Sequence, residues 1–301
     1  MSGAQSLPFW KIQGAGNDFV VLDNLAQPLP ARFDFARAAL ALCDRSRGIG
    51  GDGLLLLEAP DESATASDAA IRMRMWNPDG SEDMCGNGLR CIVRLAHRNA
   101  YVGERFLTQT LSGLRDCEVL SSEQIRVAMG APHFGESEIP FARTPDFRGV
   151  SAQDFTLQIK DETVGPLCSL STGSTHTVLW VDAATTAKYF EAWSPLLEHH
   201  AAFPKRTSIM WASVEDSHRI SLRIWERGAG ETLACGTGAC ATAVAAQIGG
   251  RGVSDGEGIE IKSRGGILRV QWQSGESILL TGPAQIVFRG IWRDGEALKV
   301  L

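Results

Sequence analysis

The sequence predicts an α+β protein of two pseudo-symmetric domains, each a mostly antiparallel sheet wrapped around a central helix. Three observations carry that prediction. A thiol–glycine motif occurs twice, as W-N-P-D-G-S-E-D-M-C-G-N-G-L-R-C over residues 76–91 and W-E-R-G-A-G-E-T-L-A-C-G-T-G-A-C-A over residues 225–241. Cys85 and Cys235 each stand ahead of a Gly-x-Gly and a run that reads as the start of a helix, so the chain looks duplicated. Each motif also follows an alternating strand: Ile71, Met73 and Met75 alternate with Arg72 and Arg74, and Ile220, Leu222 and Ile224 with Ser221 and Arg223. Residues 238–248, finally, are nearly all Ala, Val, Thr and Cys, and a helix without a polar face is a buried one.

The chain has 301 residues, 44% of them hydrophobic, which is room and core enough for two domains. A formal net charge of -6 and the lack of any clustered Lys/Arg run argue against nucleic acid as a partner. No stretch approaches the roughly 18 apolar residues of a membrane span, and residues 1–13 lack the apolar core of a signal peptide. A cytoplasmic location is expected, with neither membrane nor nucleic acid as a partner. The seven cysteines include no C-x-x-C pair of the zinc or redox type and are expected to be free thiols. Cys43, Cys117 and Cys168 read as small buried hydrophobes, and Cys91 and Cys240 as structural residues inside the two helices.

In chain order, 9–13 and 20–22 read as strands flanking the turn Gly14-Ala15-Gly16, and apolar spacing predicts a helix over 33–43 that Gly48 can terminate. Gly48, Gly50 and Gly53 spell G-x-G-x-x-G, but a dinucleotide fingerprint needs a strand before it and a helix after it. Here a helix precedes and the strand 54–58 follows, so a Rossmann reading is rejected. The polar stretch 60–67 reads as a loop. After the Cys85 helix come short strands at 106–111, 118–120 and 125–129, a meander that favours antiparallel pairing. Composition shifts to Pro, Gly, Ser and charge over 130–145, which places a domain boundary there. The expected domains are 1–132, with 283–301 returning to it, and 133–282.

The second half then replays the first. Gly173-Ser174-Thr175-His176 and the apolar run to 181 stand where Gly16-Asn17-Asp18-Phe19 and its run stood. A helix is expected over 187–191, with a second piece after Pro195, followed by a strand at 208–214. Strands at 259–262, 267–272, 278–280 and 286–288 complete the chain.

The paired motifs suggest a chemistry. Unpaired N–H groups and the dipole at a helix N-terminus favour a thiolate over a thiol. The same N–H groups form an anion site, so a carboxylate held between the two motifs would have a thiol on either face of its α-carbon. That suits removal of the weakly acidic α-proton of an amino acid by one sulfur and return of a proton by the other. No lysine context suggests a pyridoxal Schiff base, and no His/Asp/Glu cluster has metal-ligand spacing, so neither cofactor nor metal is expected.

These residues resemble the diaminopimelate epimerase family. The resemblance covers nearly the whole chain and rests on G-A-G-N-D-F at 14–19, on the two cysteine motifs, and on T-G-P-A at 281–284. It implies a cofactor-independent isomerase of lysine and cell-wall precursor synthesis, with its active site in the cleft between two domains. It also implies that Cys85 and Cys235 are the acid/base pair. The amides of Gly86, Asn87, Gly236 and Thr237 match positions that hold the reacting carboxylate. Asn17, Asn77, Glu226 and Arg227 match side chains that bind the substrate, Arg227 by a bidentate hold on the distal carboxylate and Glu226 on an amino group. His176, which alone reads as a satisfied core histidine, matches a histidine of the family's cleft.

At two positions the chain departs from the family's pattern. Ser174 stands in the usual G-N-P-H, and Ser208 replaces the usual Asn after Phe203-Pro204. Serine reaches less far than asparagine, and both positions serve the distal end of the substrate in the family. An epimerase of another amino acid on the same fold, a thiol redox protein and a non-catalytic binding module are the competing readings. The expected partner is a small-molecule amino-acid substrate, diaminopimelate in the leading reading, and a homodimer is compatible with the sequence.

Overall fold

The computed structural model describes residues 6–253 and 256–293. The chain divides into two units, Met1–Val127 with Gly282–Leu301, and Ala128–Thr281. The first runs through β1 (Ser6–Gly14), β2 (Asn17–Asp23), α1 (Phe35–Leu42), β3 (Gly53–Glu58), α2 (Glu62–Thr65), β4 (Ala69–Trp76) and β5 (Glu82–Asp83). It continues with α3 (Gly86–Arg98), β6 (Arg105–Thr110), β7 (Gly113–Val119) and β8 (Gln124–Ala128). The second holds β9 (Arg148–Ser151), β10 (Asp154–Ile159), β11 (Glu162–Ser171), β12 (Thr175–Trp180), α4 (Ala183–Glu198), β13 (Ser208–Asp216) and β14 (Arg219–Glu226). After these come β15 (Gly230–Thr232), α5 (Gly236–Ile248), β16 (Ile259–Ser263), β17 (Gly266–Gln271) and β18 (Leu279–Pro283). A last strand, β19 (Gln285–Arg293), pairs antiparallel with β1. Residues 294–301, part of the segment expected to return to the first domain, lie outside the described residues.

In the first unit β1–β2, β3–β4, β6–β7 and β7–β8 are antiparallel, while β2–β3 and β4–β6 are parallel. In the second, β11–β12, β13–β14, β16–β17 and β17–β18 are antiparallel, while β12–β13 and β14–β16 are parallel. The two patterns match strand for strand. A parallel pair needs a crossover, and helices supply it at the same points: α1 and α4 for the first parallel pair, α3 and α5 for the second.

The pleat explains why the strand after each first crossover is apolar over its covered part, 54–57 in β3 and 209–212 in β13. Leu54 and Leu56 of β3 pack with Ala38, Ala39 and Leu42 of α1. Leu55, on the other face, lies against Gly88 of α3. Ile209 and Trp211 of β13 pack likewise with Phe190, Trp193 and Leu197 of α4, while Met210 lies against Gly238 of α5. A strand covered on both faces has no solvent side to leave polar.

The central helices are buried for most of their length, α3 from Gly86 to Ala96 and α5 from Gly236 to Ala246 with only Thr237 partly open. α3 buries two arginines, which carbonyls satisfy. Arg90 donates to Pro283 O and Gly86 O at 3.3 Å and to Asn87 Oδ1 at 2.7 Å, and Arg94 donates to Ser121 O at 2.9 Å and Ala284 O at 3.3 Å. Those bonds hold the segment leading into β19 against the helix. Gly14 completes the approach, because a Cβ there would meet Pro283 O at 3.2 Å and Asn87 O at 3.3 Å.

Several elements differ from expectation. The helix expected in two pieces around Pro195 is the single helix α4. Proline removes one backbone donor, but the face formed by Phe190, Trp193, Ser194 and Leu197 is buried, and Ser194 Oγ accepts from Trp211 Nε1 at 2.9 Å. α1, at Phe35–Leu42, falls within the expected 33–43, and only its end differs, coming before Gly48, where Ile49 and Gly50 donate back to Leu42 O at 2.9 and 3.0 Å. β5, β9, β10, β11 and β15 had no counterpart in the sequence pattern, and the loop expected over 60–67 contains the one-turn helix α2, capped by Asp61.

Candidate active site

Each cysteine is the N-cap of its helix, with extended backbone at φ -135°, ψ 124° for Cys85 and φ -135°, ψ 113° for Cys235. That conformation turns the chain from loop into helix and leaves the first-turn amides without intrahelical acceptors. Gly86 and Asn87 carry those amides on α3, and Gly236 and Thr237 on α5. The glycine three positions after each cysteine lets the turn sit on the strand below. A Cβ on Gly88 would meet Leu55 Cδ2 at 3.0 Å, and one on Gly238 would overlap Met210 Sδ.

The two thiols differ in environment. Cys85 is half-buried and the other six cysteines are buried. Cys235 Sγ accepts from Gly238 N at 3.4 Å and lies 3.4 Å from Thr237 Oγ1. Its thiol is nonetheless pushed well above the ordinary thiol value, by burial first and the Glu226 carboxylate second, against the Thr237 and Gly238 hydrogen bonds. The helix N-terminus, which favours a thiolate, is opposed at Cys235. Desolvation there favours the neutral thiol. The remaining cysteines are structural, with burial raising Cys43, Cys117 and Cys168 to about 12.

In the first unit a relay of side chains orients Asn17. Arg90 Nη2 donates to Asn87 Oδ1 at 2.7 Å, Asn87 Nδ2 to Asn17 Oδ1 at 2.8 Å, and Asn17 Nδ2 to Asp52 Oδ2 at 2.8 Å. Asp52 also accepts from Asp18 N at 3.0 Å and from Arg45 at 2.7 Å, and Arg45 and Lys11 pair with Asp18. One amide hydrogen and one lone pair of Asn17 remain for a ligand. Asn77, at the end of β4, is held by its own turn, donating from Nδ2 to Ser81 Oγ at 3.1 Å.

In the second unit Ser174 Oγ pairs with His176 Nε2 at 3.0 Å, and Ser208 Oγ accepts from Arg227 N at 3.1 Å. Arg227 Nη1 donates to Lys205 O at 3.1 Å, and Glu226 accepts from Thr232 Oγ1 at 2.6 Å. Thr172 Oγ1 donates to Thr237 O at 2.8 Å, fixing the first turn of α5. His176 is 1% exposed, and its Nδ1 is among the buried atoms without a hydrogen-bond partner. It is thus a core histidine, but an incompletely satisfied one, and burial aided by the Arg227 charge lowers its pKa to about 3. Among the described residues no group of His, Cys, Asp and Glu has metal-holding geometry, and no helix is long and apolar enough to cross a membrane.

Sequence reasoning passed over Asp52, Arg90, Thr172 and Glu198. Asp52 lies inside the rejected G-x-G-x-x-G, and only the turn that brings it beside Asn17 gives it meaning. Glu198, the last residue of α4, carries no sequence signal at all.

Solved structures share this architecture. A PhzF-family phenazine biosynthesis protein from Bacillus anthracis matches with a TM-score of 0.68 at 14% identity, covering 96% of this chain and all of that one. A hydroxyproline epimerase from Agrobacterium vitis matches with a TM-score of 0.66 at 13% identity, covering 98% of this chain and 95% of its own. The fold and the paired motifs define a duplicated α+β isomerase. More particularly, the chain belongs to the diaminopimelate epimerase family, whose sequence model matches residues 9–135 and 168–287. Diaminopimelate epimerases from Moorella thermoacetica and Ralstonia nicotianae are 38% and 40% identical to it, over 94% and 97% of this chain and 98% of each relative.

Proposed function

We propose that this protein interconverts L,L- and meso-diaminopimelate, moving a proton at the α-carbon between Cys85 and Cys235 without a cofactor. The observation that supports it best is the pair of N-cap cysteines, alike in backbone conformation, at topologically equivalent helices of a chain in the diaminopimelate epimerase family.

In this mechanism one sulfur, as thiolate, takes the α-proton. The electron pair it leaves behind delocalises into the carboxylate, whose oxygens are stabilised by the first-turn amides of Gly86, Asn87, Gly236 and Thr237. The other sulfur, as thiol, delivers its proton to the opposite face. Thiol and thiolate have then exchanged places, and solvent resets them. The raised pKa of Cys235 suits a proton donor. Asn17, Asn77, Ser174, Ser208, Glu226 and Arg227 bind the substrate in this reading, with His176 supporting Ser174 by their hydrogen bond. The natural setting is lysine and peptidoglycan precursor synthesis in the cytoplasm.

Ser174 and Ser208 favour one second reading, an epimerase of a different amino acid, because both hydroxyls are engaged locally. Proton NMR of L,L-diaminopimelate in deuterium oxide separates the two. The α-proton signal fades and the meso isomer accumulates with the reduced protein, and neither occurs with Cys85→Ala or Cys235→Ala. Turnover of another amino acid alone would select the second reading; full exchange by either alanine variant would end the two-thiol mechanism.

A further inference from the structure

Glu198 closes α4, where a carboxylate meets the negative end of the helix dipole, and it is 3% exposed. Burial of a charge at an unfavourable helix position is destabilising unless hydrogen bonds compensate. Glu198 accepts three: Trp225 Nε1 at 2.7 Å, Gly228 N at 2.9 Å and Arg206 Nη1 at 3.1 Å. All three partners are donors, so an acceptor-only side chain suits the position.

Two of those donors bracket Glu226 and Arg227, one residue before and one residue after. The amide of Arg227 itself is held by Ser208 Oγ, and its guanidinium by Lys205 O. Glu198 therefore ties the end of α4 to the segment carrying Arg206 and to the turn from which Glu226 and Arg227 project. Gly228 makes that turn with φ 79°, a left-handed conformation in which its N–H can reach the carboxylate.

We propose that Glu198 is a positioning residue for substrate recognition, acting through the backbone of the 225–228 turn to aim Arg227 at the distal carboxylate of the substrate. This rests on the proposed function, in which Arg227 is a substrate-binding side chain. Glu198 touches no reacting atom, so its loss weakens binding while sparing the proton transfer.

The test is Glu198→Gln in the full chain, assayed by α-proton exchange of L,L-diaminopimelate, alone and combined with Arg227→Ala. Glutamine keeps the side chain's shape but sets an NH2 against an N–H donor. Glu198→Gln is expected to raise KM about tenfold or more with kcat within about threefold of the parent, as displacement of substrate-positioning groups does. In the Arg227→Ala background the same change should add nothing, because the side chain it aims is gone. Trp225→Phe removes one of the three donors while keeping an aromatic ring, and should raise KM several-fold without lowering kcat.

Unchanged KM in both Glu198→Gln and Trp225→Phe, or losses that multiply with those of Arg227→Ala, would overturn the proposal. A parent protein that exchanges no α-proton would instead sink the functional reading, and this proposal with it.

Discussion

His176 offers a perturbation whose size follows from the structure. It sits in β12 opposite Ser208, buried, with Nε2 on Ser174 Oγ and Nδ1 without a partner. Burial first, and the positive charge of Arg227 second, lower its pKa from 6.5 to about 3. The unfolded chain takes up a proton below pH 6.5 that the folded chain refuses until about pH 3. The stability contributed by the neutral ring is therefore fully present above pH 6.5 and is lost as pH falls towards 3. At about 1.4 kcal/mol per pH unit, the two units from 6.5 to 4.5 remove about 3 kcal/mol, a large share of ordinary domain stability. In His176→Gln the position no longer titrates while all other groups remain. Urea unfolding of both proteins from pH 7 to 4.5 should show the parent losing about 3 kcal/mol more than the variant. Parallel stability curves, or a ring proton of His176 titrating by NMR between pH 6 and 7, would refute the assignment of a buried neutral imidazole.

Three further outcomes are expected. Limited alkylation with iodoacetamide, read by peptide mass spectrometry, should label the half-buried Cys85 ahead of the six buried cysteines and abolish α-proton exchange in step; first labelling elsewhere would contradict the exposure argument. Gly238→Ala should lower stability by about 1–3 kcal/mol in a thermal melt, because the new Cβ overlaps Met210 Sδ in a closed core, while Gly88→Ala, facing Leu55 Cδ2 at 3.0 Å, should cost less. Asp52→Asn turns an acceptor of the Asn17 amide into a competing donor and should cut kcat/KM for exchange about tenfold in a folded protein; a parental value would show that the relay does not orient Asn17.

Much of this molecule is local and was therefore legible in the chain. Period-two alternation marks β4 and β14, the small-residue run marks α5 as buried, and each Cys-Gly-x-Gly marks the mouth of a helix, because these signals depend on neighbours in sequence. Duplication was visible for the same reason, and it extends to the pairing of every strand from β1 to β8 with a counterpart from β11 to β18. Only the tertiary structure decided the rest. α4 stays whole through Pro195 because a buried aromatic face outweighs one missing hydrogen bond, a balance set by residues such as Trp211 that are distant in sequence. The Cys235 thiol is pushed up because burial, which no sequence motif reports, opposes the helix N-terminus. Asp52, Arg90 and Glu198 become partners of site residues only when turns, a returning segment and a helix end bring donors and acceptors within 3 Å or so of one another. Motif chemistry is written along the chain, whereas desolvation and hydrogen-bond partnership are properties of the packed interior.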